Sequence, residues 1–321
     1  MNVLMTGVCG FVGSNMAQEL LNRKYVVTGV DNLSQGESRN IQALSKYSSF
    51  SFVKGDVRDA DLIHRLGHGT DIIVHLAAFK IPRYGHALDT LRINTQGTEN
   101  VLESARKNKC RVVFSSTSDV YGKNPQLPFS EESSLVLGPT HVKRWSYAVS
   151  KIYDEHLCFG YYEEHGVPVT IVRYFGGYGP HQNLTWWGGP QSVFIDKVLK
   201  KEKIPIHGDG KQTRSFTYIS DLVEGTICAM ESACAVGQVY NVGNGREIQI
   251  VDLAKMIWKK IRPHEEPLIE HISYESFSGK YEDVMRRVPD LTKATLELGF
   301  KASVELEEGL PLTIEWQKQF V

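Results

Sequence analysis

The amino-acid sequence predicts an α/β fold, a doubly wound parallel sheet followed by a smaller carboxyl-terminal α/β lobe. Three observations predict it. Short apolar runs alternate with helical patterns through roughly the first 115 residues. A glycine-rich turn follows the first run, and aspartates close the second and third. Strands separated by helical segments build βαβ units, which require a parallel sheet.

Taken in order, Val3–Thr6 reads as a strand ending at glycine. Ser14–Arg23 has helical periodicity, with Met16, Leu20 and Leu21 on one side. Strands are expected at Tyr25–Val30, Phe50–Val53, Ile72–Leu76 and Arg111–Ser115, with a helix at Asn94–Asn108. Tyr147–His165 reads as a long helix and Val167–Arg173 as a further strand. The strongest composition shift follows, at Gly176, Gly177, Gly179, Pro180 and the loop HQNLTWWGGP. The expected division is therefore residues 1–175 for the first domain and mainly 176–321 for the second lobe. A later segment, about 215–245, is expected to return to the first domain. Helices are expected at Ser192–Lys201 and from Asp221.

Bulk composition bounds the function. Of 321 residues, 41% are apolar, enough for a sizeable core. Thirty-six Lys and Arg nearly balance 37 Asp and Glu, which argues against a nucleic-acid binder. Cys9, Cys110, Cys158, Cys228 and Cys234 form no CxxC pair, so neither a disulfide framework nor a metal site is expected. The amino terminus lacks the basic leader of a signal peptide. No stretch reaches the ~18 apolar residues of a membrane helix, so a cytoplasmic protein without membrane contact is expected.

Gly7, Gly10 and Gly13 sit between the first strand and the first helix. Glycines there permit a tight turn and a close backbone approach to a pyrophosphate, which the helix N-terminus then favours. The spacing is GxxGxxG rather than GxGxxG, so its context carries the reading. Asp31 ends the second strand eighteen residues after Gly13, where a carboxylate accepts hydrogen bonds from an adenine-ribose diol and repels a 2′-phosphate. NAD is thus expected over NADP. Asp56, in GDVRD, is placed to hold the adenine amino group or simply to close a turn.

Tyr147 and Lys151 share a helix face at i, i+4. An ammonium beside a phenol favours phenolate, so Tyr147 is expected as a general base with a depressed pKa. The fifth strand runs into Ser116, Thr117, Ser118 and Asp119. Thr117 is placed either to bond the substrate hydroxyl that Tyr147 deprotonates or to cap a turn. A strand end of this kind lies on the ligand side of a Rossmann-type sheet.

TGVCGFVG, DNLS, GDVRD, HLAA, SSTSDVYG, YAVSK and RYFGGYGP match, in order, the extended short-chain dehydrogenase/reductase family, and the chain resembles its nucleotide-sugar epimerases, 4,6-dehydratases and decarboxylases. The resemblance implies bound NAD, a nucleotide-sugar substrate, most simply UDP-linked, and a homodimer. It also implies that Phe11, Val12, Asn32, Ser34, Val57, Leu76, Ala77, Ala78, Lys80, Asn94, Ser115 and Tyr174 line or support the cofactor. Lys80, Phe175, Gly176, Arg214 in QTRSFTY and Arg287 in RRVPD would face the substrate, with Trp186 and Trp187 either in the site or packing the lobe.

The family's shared first step is oxidation at C4 of the sugar. The first reading is 4-epimerisation of a UDP-sugar, because it needs only Thr117, Tyr147, Lys151 and NAD. Decarboxylation of a UDP-uronate comes second: Thr117-Ser118-Asp119 is one methylene short of the decarboxylases' Thr-Ser-Glu, and RWSYAVSK and YEDVMRRVPD resemble that branch. Dehydration comes third, because Ser118 replaces that branch's aspartate. A non-catalytic NAD-binding sensor is the remote alternative. Gly176 stands where epimerases usually carry asparagine, whereas Lys80 in HLAAFK resembles the epimerases.

Overall fold

A computed structural model describes residues 1–80, 87–274 and 282–321. The first half of the chain alternates strands and helices. They are β1 (Asn2–Thr6), α1 (Phe11–Asn22), β2 (Val26–Asp31), α2 (Arg39–Gln42), β3 (Phe50–Lys54) and α3 (Ala60–Gly67). There follow β4 (Ile72–His75), α4 (Ala87–Asn108), β5 (Arg111–Thr117), α5 (Trp145–His165) and β6 (Val169–Tyr174). The second half comprises β7 (Gly177–Tyr178), α6 (Pro190–Leu199), β8 (Ile204–His207), β9 (Thr213–Ser215), β10 (Thr217–Tyr218) and α7 (Ile219–Glu231). It ends with β11 (Gln238–Val242), β12 (Glu247–Gln249), α8 (Ile250–Ile261), β13 (Ile269–Ile272), α9 (Thr292–Leu298) and α10 (Leu306–Gln317).

Seven strands form one parallel sheet in the order β11-β6-β5-β4-β1-β2-β3. The order reverses between β1 and β4, which is where a doubly wound sheet opens its ligand crevice. Register brings the strand ends level: Thr6 pairs with Val30 and His75, and Thr117 with Tyr174. Strand alternation sorts the core onto two faces. Val3, Met5, Ile72 and Val74 pack with Met16, Leu20 and Ile227 on the α1 and α7 side. Leu4 and Ile73 pack with Leu102, Ala105 and Cys158 on the α4 and α5 side. β11 pairs with β6 in this sheet although they are far apart in sequence, Gln238 lying opposite Thr170.

A separate apolar cluster joins α6, α8 and α10 around β8 through Phe194, Ile206, Ile257 and Leu310. Most expected boundaries shift by one to three residues, α1 for example starting at Phe11 rather than Ser14, and three shifts bear on the site. α4 starts at Ala87 rather than Asn94, which places Asn94 inside the helix. β5 extends to Thr117 because Ser116 and Thr117 continue the ladder with β6. α5 starts two residues before Tyr147. Among the described residues no helix is long and apolar enough to cross a membrane, and no group of His, Cys, Asp or Glu could hold a metal ion.

Candidate active site

The glycine turn has a steric explanation. Gly7 adopts φ +73°, and a Cβ there would lie 2.8 Å from the Ala77 amide. At Gly13 a Cβ would lie 2.2 Å from the Gly7 carbonyl oxygen. Helix α1 therefore starts directly against the turn, with its first amides facing the crevice. Phe11 and Val12 pack their side chains on the core below. Asp31 is buried at the end of β2 and accepts from the amides of Cys9 (3.0 Å) and Leu33 (2.8 Å). Burial pushes its carboxyl up, and the two amides pull it back.

Asp56 already has partners. It accepts from Asn32 at 2.9 Å and from Arg58, whose guanidinium holds its carboxyl well below the usual range. Ser34 is exposed, with its amide on Asn32. Val57 is buried in the core. Leu76, Ala77 and Ala78 follow β4, and the Ala77 amide donates to Thr6. Asn94 is buried and ties this loop to α5. It accepts from the Phe79 amide (2.7 Å) and donates to Ser150 (2.9 Å), whose hydroxyl reaches the Tyr147 carbonyl. The Tyr174 hydroxyl bonds Thr226. The glycine turn at the start of α1 and the acid at the end of β2 are the features that a dinucleotide's pyrophosphate and ribose diol require, so the residues present fit NAD.

Tyr147 and Lys151 do share a face of α5, but the expected electrostatics of the pair are corrected. The Lys151 Nζ donates to the Ser115 carbonyl at 2.8 Å and lies 4.4 Å over the Phe114 ring. Burial and the Asp119 carboxylate raise the Tyr147 phenol, and only the Thr117 hydroxyl pulls it down. Helical spacing sets the common face, but the long lysine stem chooses its own partner. Thr117 takes both readings. Its hydroxyl caps the turn at Asp119 (3.2 Å) and also bonds Tyr147.

A pocket of about 300 Å³ opens above Tyr147. Its floor and walls include Lys80, Asp119, Arg144, Arg214, Asp283 and Arg287. Arg287 donates to Asp119 at 2.8 Å and to Ser118 at 3.3 Å. Arg144 spans Asp119 (3.4 Å) and Asp283 (3.3 Å), and Arg214 donates to Asp283 at 2.8 Å. Burial alone would raise the Asp283 carboxyl, but Arg214, Arg144 and the Tyr274 hydroxyl hold it down at about 2. Phe175 is fully buried with Tyr121 and Phe129 and lines the pocket from below.

Gly176 has φ +28°, and a Cβ there would meet the Ser215 carbonyl oxygen at 2.2 Å. It can offer only its backbone. Trp186 stacks on His207 at 4.5 Å while packing Phe194, and Trp187 meets Phe79 edge-on. Both tryptophans line the pocket. Arg144 and Asp283 escape a reading of the sequence. Their only signals are their places in RWSYAVSK and YEDVMRRVPD, whose first residue, Tyr281, lies outside the described residues.

The family model described as GDP-mannose 4,6 dehydratase matches residues 4–313. The UDP-N-acetyl-alpha-D-glucosaminuronate decarboxylase of Bacillus cytotoxicus is 38% identical over 319 residues, covering 98% of this chain and 97% of that protein. UDP-glucuronic acid decarboxylase 1 of Xenopus tropicalis is 36% identical, covering 98% of this chain and 71% of that one. The solved UDP-glucuronic acid 4-epimerase of Bacillus cereus, in complex with UDP-glucuronic acid and NAD, has a TM-score of 0.89 at 31% identity over 100% of both chains. The dTDP-glucose 4,6-dehydratase of Streptomyces venezuelae, also with NAD, has a TM-score of 0.90 at 27% identity, covering 100% and 98%. NAD is the cofactor that the site and these likenesses support together. The chain belongs to the NAD-dependent nucleotide-sugar epimerases, dehydratases and decarboxylases of the extended short-chain dehydrogenase/reductase family.

Proposed function

We propose that this protein is a NAD-dependent decarboxylase of a UDP-hexuronate. The observation that carries the reading is the Ser118–Asp119–Arg287–Arg144 cluster beside Tyr147. Among the described pocket residues, four cations (Lys80, Arg144, Arg214, Arg287) face two carboxylates (Asp119, Asp283). That surplus suits a diphosphate and a uronate carboxylate together. The curated decarboxylase relatives support the same reading. It replaces 4-epimerisation as the preferred outcome.

In this mechanism the Tyr147 oxygen takes the proton of the sugar 4-hydroxyl, while Thr117 holds that hydroxyl in line. When bound, NAD would supply the hydride acceptor for C4 and the hydride that later reduces C4 again. The Lys151 ammonium, held by the Ser115 carbonyl, would hydrogen-bond the cofactor ribose. With C4 a ketone, the C5 carboxylate becomes a β-keto acid. The C5–C6 bond then breaks, CO₂ leaves, and its electron pair moves to the C4 oxygen. Tyr147, now protonated, and Thr117 stabilise that enolate oxygen. Arg287 and Arg144 orient the carboxylate before it leaves, and Asp119 fixes both guanidiniums. The proton returned to C5 comes from solvent, on the side of the site where Asp119 and Arg287 pair. Arg214 grips the diphosphate.

A second reading is the 4-epimerase, favoured by the full-length likeness to the UDP-glucuronic acid 4-epimerase. Gly176 leaves it without the asparagine usual in such epimerases. One incubation separates the two. UDP-glucuronate and its 2-acetamido analogue are supplied, and products are followed by NMR. Released CO₂ and a UDP-pentose are expected. A six-carbon uronate inverted at C4 would sink the decarboxylase. A homodimer is proposed as the assembly, through an outward face of α5 where Val149 and Tyr153 are exposed one turn apart.

A further inference from the structure

Asp154 lies on α5 at i+3 from Lys151, and both side chains are fully buried. That spacing gives them a common helix face. The two do not close an ion pair, because the Lys151 Nζ turns to the Ser115 carbonyl. Both Asp154 carboxylate oxygens are closed off from solvent, and among the described residues only the Thr98 hydroxyl acts on them as a donor, outside close hydrogen-bond geometry. A buried carboxylate with one loosely held hydroxyl as its donor is costly, so packing gives little reason for an acid here. Asparagine or leucine would fill the space without that cost. The proposed chemistry does not use it either.

The ionisable groups around Asp154 narrow its role. On α5, Glu155 is already paired with Arg173 at 2.7 Å. The Cys158 thiol, also on α5, is pushed far up by burial and stays neutral. From β4, His75 is pushed down to about 3 by burial and by Lys151, and its ring bonds Thr6 and Thr98. That leaves Lys151 as the cation that the Asp154 carboxylate answers. Burial pushes the Lys151 ammonium toward the neutral amine, and Asp154 leads the groups that oppose this. Burial likewise raises the Asp154 carboxyl to about 6, with Lys151 first and then the Thr98 hydroxyl pulling it back.

We propose that Asp154 is a positioning residue acting through Lys151, its buried carboxylate holding the ammonium charged in an apolar site and so extending the pH range of the Tyr147–Lys151 pair. This rests on Tyr147 and Lys151 being the C4-oxidising pair, and it holds for a decarboxylase or an epimerase alike. The carboxylate works at range rather than by contact, which leaves the lysine free to point at the cofactor side.

The test uses Asp154→Asn and Asp154→Leu in the purified, NAD-loaded protein. Lys151 is titrated by NMR of lysine labelled at Cε, assigned with Lys151→Met, a readout that needs no substrate. In parallel, the pH dependence of nicotinamide reduction is followed on mixing with UDP-glucuronate. Both variants are expected to lower the Lys151 titration, and with it the alkaline limb of reduction, by about one pH unit. Thermal midpoints at neutral pH should be unchanged or higher. A Lys151 titration that stays in place in both variants would overturn the proposal, as would a large drop in thermal midpoint with no shift. If the titration moves while no sugar nucleotide reduces the cofactor, the functional reading fails and this one stands.

Discussion

At the residue scale, Tyr147 carries the chemistry, and its surroundings set when it can act. In this structure burial and Asp119 both keep the phenol protonated. Tyr147→Phe is expected to lower kcat by about 10²–10⁴-fold, the usual worth of a general base, with the thermal midpoint little changed. Removing the Asp119 charge works on the same phenol with a definite sign. Asp119 raises the phenol, so Asp119→Asn should move the phenolate absorbance to lower pH, read against Tyr147→Phe. Unaltered absorbance would sever the link between the two residues.

Asp154 gives a stability prediction of its own. Its carboxyl titrates at about 6 in the fold against the ordinary 3.8, so the ionised form opposes folding. The penalty is complete above about pH 6, shrinks as the pH falls through that value, and is gone below the unfolded 3.8. Near neutrality it is worth about 3 kcal/mol. Asp154→Asn should therefore stabilise the protein more near neutral pH than near pH 4, which denaturant midpoints at the two conditions will check. The GxxGxxG turn, Asp31, Thr117, Tyr147 and Lys151 were all legible in the sequence because each sits at a strand or helix end with a local signature. Asp154 was not, since an acid on a helix reads as solvated until the neighbouring elements bury it.

At the element scale, two contacts decide whether the site exists. Helix α1 rests on the glycine turn, and a methyl group at Gly13 would press into the Gly7 carbonyl, a backbone atom that cannot give way cheaply. Gly13→Ala is expected to cost about 2 kcal/mol or more and to release NAD, measured by denaturant midpoint and cofactor content. Beneath the Thr117 strand end, Glu155 on α5 is locked to Arg173 on β6, and Ser116 donates to the same carboxylate. Arg173 also reaches the Tyr121 hydroxyl, which donates to Asn241 on β11. This buried network joins α5, β5, β6 and β11. Glu155→Gln should cost about 3–5 kcal/mol by leaving the guanidinium unmatched. Two of the boundaries that moved are those of β5 and α4, where tertiary pairing extended a strand and a helix beyond their apolar signals.

At the scale of the whole molecule, the site is made by convergence. The parallel sheet delivers Thr117 and Asp31 to one edge, and α5 brings Tyr147 beside Thr117. The second half of the chain supplies Arg214, Asp283 and Arg287 from above. Arg287→Ala is expected to reduce CO₂ release about 100-fold while nicotinamide reduction persists, since the arginine serves the step after oxidation. Equal loss of both would move Arg287 to binding. For assembly, Val149→Glu with Tyr153→Glu should convert the proposed dimer to a monomer in light scattering.

The sequence by itself determined the class of chemistry. A glycine turn, a strand-end acid and a Tyr–Lys pair are local features, legible because strand ends and helix faces follow from short-range periodicity. Tertiary structure decided the partners: that Lys151 points to Ser115 rather than to the phenol, that Asp119 is clamped by two arginines, and that no side chain fits at Gly176. Those choices depend on burial and on residues distant in the chain, and neither is written in local spacing. They are also what turned the preferred product from an epimer toward a decarboxylated sugar.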